Sequence, residues 1–401
     1  MALLNLIRQR RLDRCLSLDD FERMARHVLP RPIYGYVAGA SQDNTSLDDN
    51  RQAYRDLALL PENPRDVSQR SQAVTLFGRS YSAPFGIAPM GIAAMSAYRG
   101  DIALAEAAKA QGILNILSGS SLIRLEDVVA ANPATWFQAY LPGDQARIDA
   151  LLTRVKAAGV ETLMVTVDIP VFGNRENNVR SGFSTPLKPT LRLALDGAIR
   201  PGWVTGTLFK TLLKHGMPHF ENSFAERGAP IISKNVTRDF AKRDHFDWAH
   251  IGRIRQQWKG PFVVKGLLNP ADARRARELG VDGIVVSNHG GRQLDGAIAP
   301  LRVLPEMADA AKGITVIIDG GIRRGADILK ALALGADFAL IGRPFNFAAA
   351  VGGQAGVVKA IEIMKAEVDR DLAMLGVHGC AEVEARHVRD RRAPFRGVAS
   401  V

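Results

Sequence analysis

The segment SNHGGRQLDG (287–296) places a histidine, two glycines and an arginine close together, directly after an apolar run. His289 can accept a proton near neutral pH, and Arg292 offers a planar guanidinium that suits a carboxylate. The glycines allow the backbone to approach a planar ligand closely. A lone histidine is more often structural. Its combination with Gly-Gly and Arg at the end of a strand favours a catalytic base beside a carboxylate site.

Two more residues could complete that site. Asp168 ends the apolar run TLMVTVD and could hydrogen-bond to His289, which would fix the tautomer of the imidazole and stabilise its protonated form. Arg175 lies seven residues later and could supply a second cation for the carboxylate. The structural alternatives are a loop cap for Asp168 and a surface position for Arg175. We favour the functional role for both.

Two glycine-rich segments near the end of the chain predict a phosphate site. The segments IIDGGIRRG (317–325) and LIGRP (340–344) each follow an apolar run with glycine and then arginine, at Arg323 and Arg343. Barrel enzymes often bind phosphate in the loops after strands seven and eight, where helix N-termini attract anions. One such loop is a weak signal, but two consecutive ones predict a ligand that carries phosphate.

Lys265 ends the apolar run FVVKG, which would place its ammonium inside the mouth of a barrel. A buried ammonium is costly unless an anion compensates it, and a flavin that becomes anionic on reduction would be such an anion. A Schiff-base lysine is the alternative, and the residue alone does not exclude it.

These residues require a scaffold that brings many strand ends together. Eight short apolar runs alternate with Ala/Leu-rich helical stretches, and the runs span 85–89, 113–118, 135–140, 162–168, 262–266, 283–288, 315–320 and 338–342. A doubly wound open sheet would show the same alternation, but its polar residues would gather at one switch point. Here nearly every run ends in a polar residue, which predicts a (β/α)8 TIM barrel.

The predicted organisation has three parts: an N-terminal helical extension (1–82) that covers the barrel, the barrel itself (83–375) and a C-terminal tail (376–401). A long insertion, about 176–250, follows the fourth strand. Its segment 185–219 carries basic residues against a single acid, among leucines and aromatic residues; these are Lys188, Arg192, Arg200, Lys210 and Lys214 against Asp196. This pattern predicts either a membrane-surface segment or a lid that packs on the barrel.

Composition limits the class of protein. Hydrophobic residues make up 47% and charged residues 23% of the chain, which excludes a disordered or fibrous protein. Cys15 and Cys380 are too far apart to suggest a disulfide framework or a zinc site, and no metal site is predicted. The first residues reverse the order of a secretory signal, so we expect a cytoplasmic protein. The net charge of +11 favours acidic substrates or anionic lipid, and without a recognition motif we predict no nucleic-acid partner.

Together these segments resemble the FMN-dependent 2-hydroxy acid oxidase and dehydrogenase family, which includes glycolate oxidases, lactate dehydrogenases and mandelate dehydrogenases. The resemblance runs from about Phe21 to Leu375. Beside SNHGGRQLDG it is carried by IYGYVAGA (33–40), WFQAY (136–140), TVDIP (166–170), VVKG (263–266) and DGGIRRG (319–325). It implies bound FMN, oxidation of an L-2-hydroxy acid to the 2-oxo acid and, as in relatives, a homo-tetramer.

The resemblance also implies a role for each matching residue. His289 would be the base with Asp168 as its partner, Arg292 and Arg175 would bind the substrate carboxylate, and Tyr36 and Tyr140 would contact the substrate. Tyr140 and Arg292 would also belong to the catalytic group. The cofactor contacts would come from Pro89, Met90, Gly91, Ser118, Gln138, Thr166, Lys265, Ser287, Asp319, Gly321, Arg323, Gly342 and Arg343.

Three positions depart from the pattern of the oxidases: the first concerns a hydroxyl contact to the flavin, and the other two bear on the electron acceptor. Met90 stands where oxidases of the family often have threonine, Gly91 where they have alanine, and Ser120 where they have tryptophan. The segment 203–218 resembles the membrane-contacting segment of mandelate dehydrogenase. We therefore expect a dehydrogenase that reduces a quinone and that could attach to the inner face of the cell membrane, with an oxidase that produces hydrogen peroxide as the alternative.

The sequence does not decide between two types of substrate side chain. Phe172 and the small residue Ser120 could admit either a methyl or a phenyl group, so L-lactate and L-mandelate both fit, with lactate favoured. A more remote alternative is a basic protein that binds nucleic acid or a membrane surface without catalysis.

Overall fold

The computed structural model describes residues 9–184, 186, 190–235 and 243–392. Within these residues, eight parallel strands close into one barrel, each paired with the next along the chain and the eighth with the first. The strands are β1 (Phe85–Ile87), β2 (Leu114–Ser118), β3 (Trp136–Ala139), β4 (Leu163–Thr166), β5 (Phe262–Leu267), β6 (Gly283–Val286), β7 (Thr315–Asp319) and β8 (Phe338–Ile341). The predicted TIM barrel is confirmed, and each strand lies within or overlaps a predicted run.

The barrel is a packed core rather than a channel. Alternate strand residues such as Ile116, Met164, Val263, Ile317 and Leu340 point inward and form one buried cluster. The intervening residues face the surrounding helices and join the larger core. Parallel strands buried on both faces need continuous apolar runs, as this sequence provides. A ligand can therefore bind only at an end of the barrel, where the strands give way to loops.

In the part of the chain that the structure describes, eight helices surround the strands. They span Gly100–Gln111, Leu125–Ala131, Gln145–Ala157, Trp248–Gln257, Pro270–Glu278, Pro300–Ala310, Gly325–Ala333 and Arg343–Leu375. The last spans 33 residues with a kink at Gly353, whose φ of 58° and ψ of −143° are not helical; among the described residues it is the one helix long and apolar enough to cross a membrane. More than half of its apolar window is buried inside the protein, which is the pattern of a core helix. It packs here as the eighth helix of the barrel.

The N-terminal extension contributes helices Leu18–Val28, Arg31–Ala38 and Thr45–Arg55. The side-chain amides of Asn50 and Asn288 hydrogen-bond to each other, with N···O distances of 2.8 and 2.7 Å. Because Asn288 follows β6, these bonds fasten the extension over the C-terminal end of the barrel, where barrel enzymes place their chemistry. The segment expected as a tail also packs on the protein, because its strand Val388–Asp390 pairs antiparallel with Leu57–Leu59.

The insertion after β4 has one buried side and one exposed side. Its helices span Glu176–Ser181, Leu191–Ala198, Pro201–Trp203 and Lys210–His215, with a π-helix at Val204–Phe209; Lys188 lies outside the described residues. The buried indole of Trp203 donates a hydrogen bond to the carbonyl of Met95 at 2.8 Å. Large apolar side chains are exposed at Leu191, Leu195, Ile199, Phe209 and Leu213. The insertion thus packs on the barrel through Trp203, as a lid would, and exposes apolar side chains, as a membrane-surface segment would.

Candidate active site

A cavity of about 520 Å³ opens at the C-terminal end of the barrel, within the usual range for ligand sites. The predicted site residues that line it are Tyr36, Pro89, Met90, Gly91, Tyr140, Arg175, Lys265, His289, Arg292, Asp319, Gly321, Arg323, Gly342 and Arg343. The other predicted residues, Ser118, Gln138, Thr166, Asp168 and Ser287, belong to the ends of β2, β3, β4 and β6 or follow them directly. The structure therefore brings the predicted site residues together.

His289 and Asp168 form a hydrogen-bonded pair, with 3.0 Å between Nδ1 of the imidazole and Oδ1 of the carboxylate. An ionised carboxylate only accepts, so Nδ1 carries the hydrogen and Nε2 keeps its lone pair. The hydroxyl of Tyr140 lies 3.4 Å from that Nε2. His289 has a positive φ of 57°, a conformation that costs about 1–3 kcal/mol outside glycine and that is concentrated at functional sites.

The surroundings of this pair favour a neutral imidazole beside an ionised carboxylate. Burial lowers the pKa of His289 and outweighs the opposing effect of Asp168, while Lys265 and Arg175 add to the lowering. Burial alone would raise the pKa of Asp168, but His289 and Lys265 together lower it. Burial and the nearby Asp168 raise the pKa of Tyr140, so its hydroxyl stays protonated. The imidazole can therefore accept a proton at neutral pH.

Between acid pH and neutrality, we expect kcat/KM for an ionised substrate to fall only below pH 6.5, the ordinary pKa of histidine. The neutral imidazole is the base, and a lowered pKa keeps it neutral to lower pH, so the profile should be flat from there through neutrality. The measurement is the pH profile of kcat/KM. In Asp168→Asn the acid limb should move to still lower pH, since Asp168 raises the pKa of His289. An acid limb centred above 6.5 would contradict this assignment.

Arg292 and Arg175 form a concentrated positive site. Nη1 of Arg292 donates to the carbonyls of Tyr36 and Gly39 at 2.7 and 2.8 Å, and its guanidinium lies 4.8 Å from the centroid of the Tyr36 ring. Nη2 of Arg175 donates to Oε1 of Gln293 at 2.8 Å. Burial and the neighbouring Arg175 lower the pKa of Arg292 to about 10, so it stays cationic at neutral pH. Two like charges held side by side suit a carboxylate.

The polar atoms at the strand ends fit a flavin. Among the described residues, Nε2 of Gln138, Oγ1 of Thr166 and Oδ1 of Asp319 are buried without a hydrogen-bond partner. Buried polar atoms are rarely left unsatisfied, which indicates a ligand with both donors and acceptors. Nζ of Lys265 donates to Ser287 at 2.6 Å and pairs with Oδ2 of Asp319 at 2.7 Å. Lys265 would thus supply a fixed cation to a bound flavin that becomes anionic on reduction.

The phosphate end is built from the loops after β7 and β8. Gly342 precedes the long helix Arg343–Leu375, whose N-terminus attracts an anion. The side chain of Arg323 is 11% exposed, and its Nη1 donates to the carbonyl of Ile322 at 3.0 Å. Arg343 donates to the carbonyls of Val37, Gly39 and Gly290 at 2.9 to 3.0 Å. Since a guanidinium has five N–H groups, Arg343 can hold the N-terminal extension in place and keep two for phosphate.

One cationic residue of the cavity was not identified from the sequence. Arg243 lies near the end of the insertion and is buried, and its guanidinium lies 4.8 Å from the centroid of the Tyr140 ring. Burial lowers its pKa to about 10, which leaves it cationic. No motif surrounds it, so only the folded chain shows that it reaches the site.

Comparison with known proteins identifies the family. Residues 25–390 match the model of the FMN-dependent dehydrogenase family. This protein belongs to that family, and its cofactor is FMN. It is 39% identical to L-lactate dehydrogenase of Xanthomonas campestris pv. campestris (strain B100), over 92% of this chain and 95% of the relative. It is 38% identical to L-lactate dehydrogenase of Caulobacter vibrioides (strain NA1000 / CB15N), over 94% and 98%.

Solved structures agree with this assignment. (S)-Mandelate dehydrogenase, described as a monotopic membrane protein, superposes with a TM-score of 0.86 at 32% identity, over 94% of this chain and 100% of that one. A mandelate oxidase variant superposes with a TM-score of 0.77 at 33% identity, over 94% and 98%. The protein is therefore an oxidoreductase of the FMN-dependent 2-hydroxy acid family.

Proposed function

We propose that this protein oxidises an L-2-hydroxy acid of the lactate or mandelate type to the 2-oxo acid, with His289 as the base and a quinone as the final electron acceptor. The observation that supports this most directly is the shared cavity. Its lining includes His289, which is hydrogen-bonded to Asp168, the cations Arg292 and Arg175, and the strand-end residues Lys265 and Asp319.

The chain's own residues then have distinct tasks. Arg292 and Arg175 bind the substrate carboxylate, which fixes the α-carbon relative to the strand ends. Nε2 of His289 takes a proton from the substrate, and Asp168 stabilises the imidazolium that forms. Tyr140 donates a hydrogen bond to the substrate from a hydroxyl that stays protonated. Bound FMN supplies the two-electron acceptor for the α-carbon.

Gly91 and Ser120 support a dehydrogenase by resemblance, because typical oxidases of the family have alanine and tryptophan at these two positions. A Cβ at Gly91 would meet the Cβ of Ser120 at 3.1 Å and the hydroxyl of Tyr36 at 3.6 Å. Glycine and serine together leave a gap beside the substrate cavity that larger residues would close. An oxygen-reducing enzyme remains the second candidate, because mandelate oxidase structures also superpose on this chain.

The test is anaerobic mixing of the FMN-loaded protein with L-lactate and with L-mandelate, followed by admission of air. A compound that bleaches the flavin absorption is identified as a substrate. Bleaching that persists in air, with rapid turnover on a soluble quinone analogue, supports the dehydrogenase. Fast re-oxidation with stoichiometric hydrogen peroxide would identify an oxidase, and no bleaching by any 2-hydroxy acid would refute the proposal.

We also propose that the insertion attaches the protein to the surface of a membrane. Phe209 and Leu213 are exposed on consecutive helical turns beside Lys210 and Lys214, which combines apolar anchors with cations for anionic lipid. A relative described as a monotopic membrane protein has the same fold.

The double variant Phe209→Glu/Leu213→Glu is expected to reduce binding to anionic vesicles by about 10- to 100-fold, since two apolar side chains lose burial and gain repulsion. Co-sedimentation measures this, and turnover with a soluble acceptor should persist. Met374→Glu is the matched control, because Met374 is equally exposed but lies on a barrel helix outside the insertion. Equal binding by the double variant and the wild type would refute attachment through the insertion.

A further inference from the structure

Arg175 reaches the active-site cavity from an irregular loop. The loop joins β4 to the helix Glu176–Ser181, and it also carries Asp168, the hydrogen-bond partner of His289. Because residues 167–175 form neither helix nor strand, the shape of the loop depends on its bonds to other parts of the protein. Whatever holds this loop therefore also determines where Arg175 lies.

The side-chain amide of Gln293 bonds to both ends of this loop. Its Nε2 donates to the carbonyls of Asp168 and Val171 at 3.2 and 3.1 Å, and its Oε1 accepts from Nη2 of Arg175 at 2.8 Å. Only one orientation of the amide satisfies these contacts, because a guanidinium only donates and a carbonyl only accepts. Gln293 itself does not line the cavity, so it lies behind the residues that would contact a substrate.

These contacts leave Arg175 able to bind a carboxylate. Its Nε donates to the carbonyl of Arg292 at 3.2 Å, so the protein holds the guanidinium through Nε and Nη2. Arginine has five N–H groups, and within the described residues these bonds use two of them. Those that remain, two on Nη1 and one on Nη2, include the adjacent pair that a bidentate carboxylate contact needs.

A glycine allows the two loops around Gln293 to approach closely. An added Cβ at Gly173 would lie 2.6 Å from the carbonyl oxygen of Arg292 and 2.8 Å from that of Gln293, closer than van der Waals contact allows. The loop after β4 and the loop after β6 therefore pack backbone against backbone. In such a close-packed junction, displacement of the Gln293 amide would be transmitted to Arg175.

We propose that Gln293 is a positioning residue for substrate binding, whose amide holds Arg175 where it can bind the substrate carboxylate. This rests on the proposed function, in which Arg175 and Arg292 bind that carboxylate. An amide is required, because Gln293→Met would make none of the three amide bonds. Gln293→Glu could accept from Arg175 but could not donate to the two carbonyls, and it would place a negative charge beside the cation that binds the substrate.

The test measures the affinity of the FMN-loaded protein for pyruvate and benzoylformate by calorimetry, together with KM and kcat for L-lactate and L-mandelate. Gln293→Met is expected to raise Kd and KM by about 10-fold, the effect of losing a hydrogen bond to a charged group, and to change kcat by less than about threefold. Gln293→Glu should raise Kd and KM by about 30-fold or more, because its charge repels the substrate.

Gln72→Met is the matched control for the loss of a glutamine amide. Gln72 is half-buried, as Gln293 is, and its Nε2 donates to the carbonyl of Lys365 at 3.0 Å, away from the cavity. The control variant should keep the Kd, KM and kcat of the wild type.

A double variant shows whether Gln293 acts through Arg175. Arg175→Met should itself weaken binding of the 2-oxo acid, and adding Gln293→Met to it should weaken binding no further. Additive losses would refute the proposal. Unchanged affinity in Gln293→Met with a shifted acid limb of the pH profile would also refute it, and would make Gln293 a positioning residue for Asp168.

Failure of this proposal can be distinguished from failure of the proposed function. If 2-hydroxy acids bleach the wild type and Gln293→Met binds the 2-oxo acids as tightly as the wild type does, only this proposal is overturned. If no 2-hydroxy acid bleaches the wild type and neither 2-oxo acid binds, both are overturned. Flavin content and Tm show whether each variant folds, and Gln293→Glu supplies the same comparison if Gln293→Met does not fold.

Discussion

Replacing His289 with glutamine is expected to lower the rate of flavin reduction by about 10²- to 10⁴-fold, the usual contribution of a positioned general base. Glutamine can hydrogen-bond to Asp168 but cannot take a proton from the substrate. Burial lowers the pKa of His289 and so favours the neutral imidazole. Asp168 accepts a hydrogen bond from Nδ1 at 3.0 Å, which leaves Nε2 free to take the proton. Stopped-flow reduction under anaerobic conditions isolates this step from re-oxidation.

A matched control keeps that result specific. His378→Gln replaces a histidine that bonds to Glu382 outside the cavity, and it should leave flavin reduction unchanged. The His289→Gln protein should retain FMN, because the strand-end residues that fit the flavin are untouched. A variant that keeps its flavin and reduces it within a factor of about five of the wild type would remove His289 from the role of base.

The fold and most of the cavity could be predicted because the relevant signals are local. Each barrel strand is an apolar run that ends in a polar or glycine residue, and a parallel barrel brings all those ends to one face. Lys265 and Thr166 illustrate this, since they are register partners on adjacent strands although nearly a hundred residues separate them. The strand ends were therefore enough to group these residues at one face of the barrel, whereas Tyr36, in a helix of the N-terminal extension, was assigned only through the family resemblance.

Contacts that depend on how remote segments dock could not be predicted in this way. Arg343 was assigned to phosphate from its loop, but it also donates to Val37 and Gly39 in the N-terminal extension, about 300 residues away in sequence. Arg243 contacts Tyr140 although the two residues are about a hundred positions apart in sequence and lie on either side of β4. Neither contact is marked by a periodicity or a motif in the sequence, because each forms only when segments that are remote in sequence pack together.

Replacing Arg292 with methionine is expected to lower kcat/KM by about 30-fold to several thousand-fold, which corresponds to about 2–5 kcal/mol for truncation of one partner of a buried charge pair. Most of the effect should appear in KM and in the Kd of the 2-oxo acid, because the carboxylate is bound in both the ground state and the transition state. Arg292→Lys should recover only a small part, since an ammonium cannot form two parallel hydrogen bonds to a carboxylate.

Arg292 also has a structural role, and the experiment must separate that role from binding of the substrate carboxylate. Nη1 of Arg292 holds the carbonyls of Tyr36 and Gly39, so its loss should also loosen the end of helix Arg31–Ala38 and lower Tm in the absence of substrate. Gly39→Ala disturbs the same junction without removing the charge, because its added Cβ would approach Asn177 at 2.7 Å. If both variants lose equal stability but only Arg292→Met loses affinity for the 2-oxo acid, the guanidinium is the carboxylate ligand. If the two variants lose affinity equally, Arg292 acts by holding the helix, and the carboxylate must bind elsewhere.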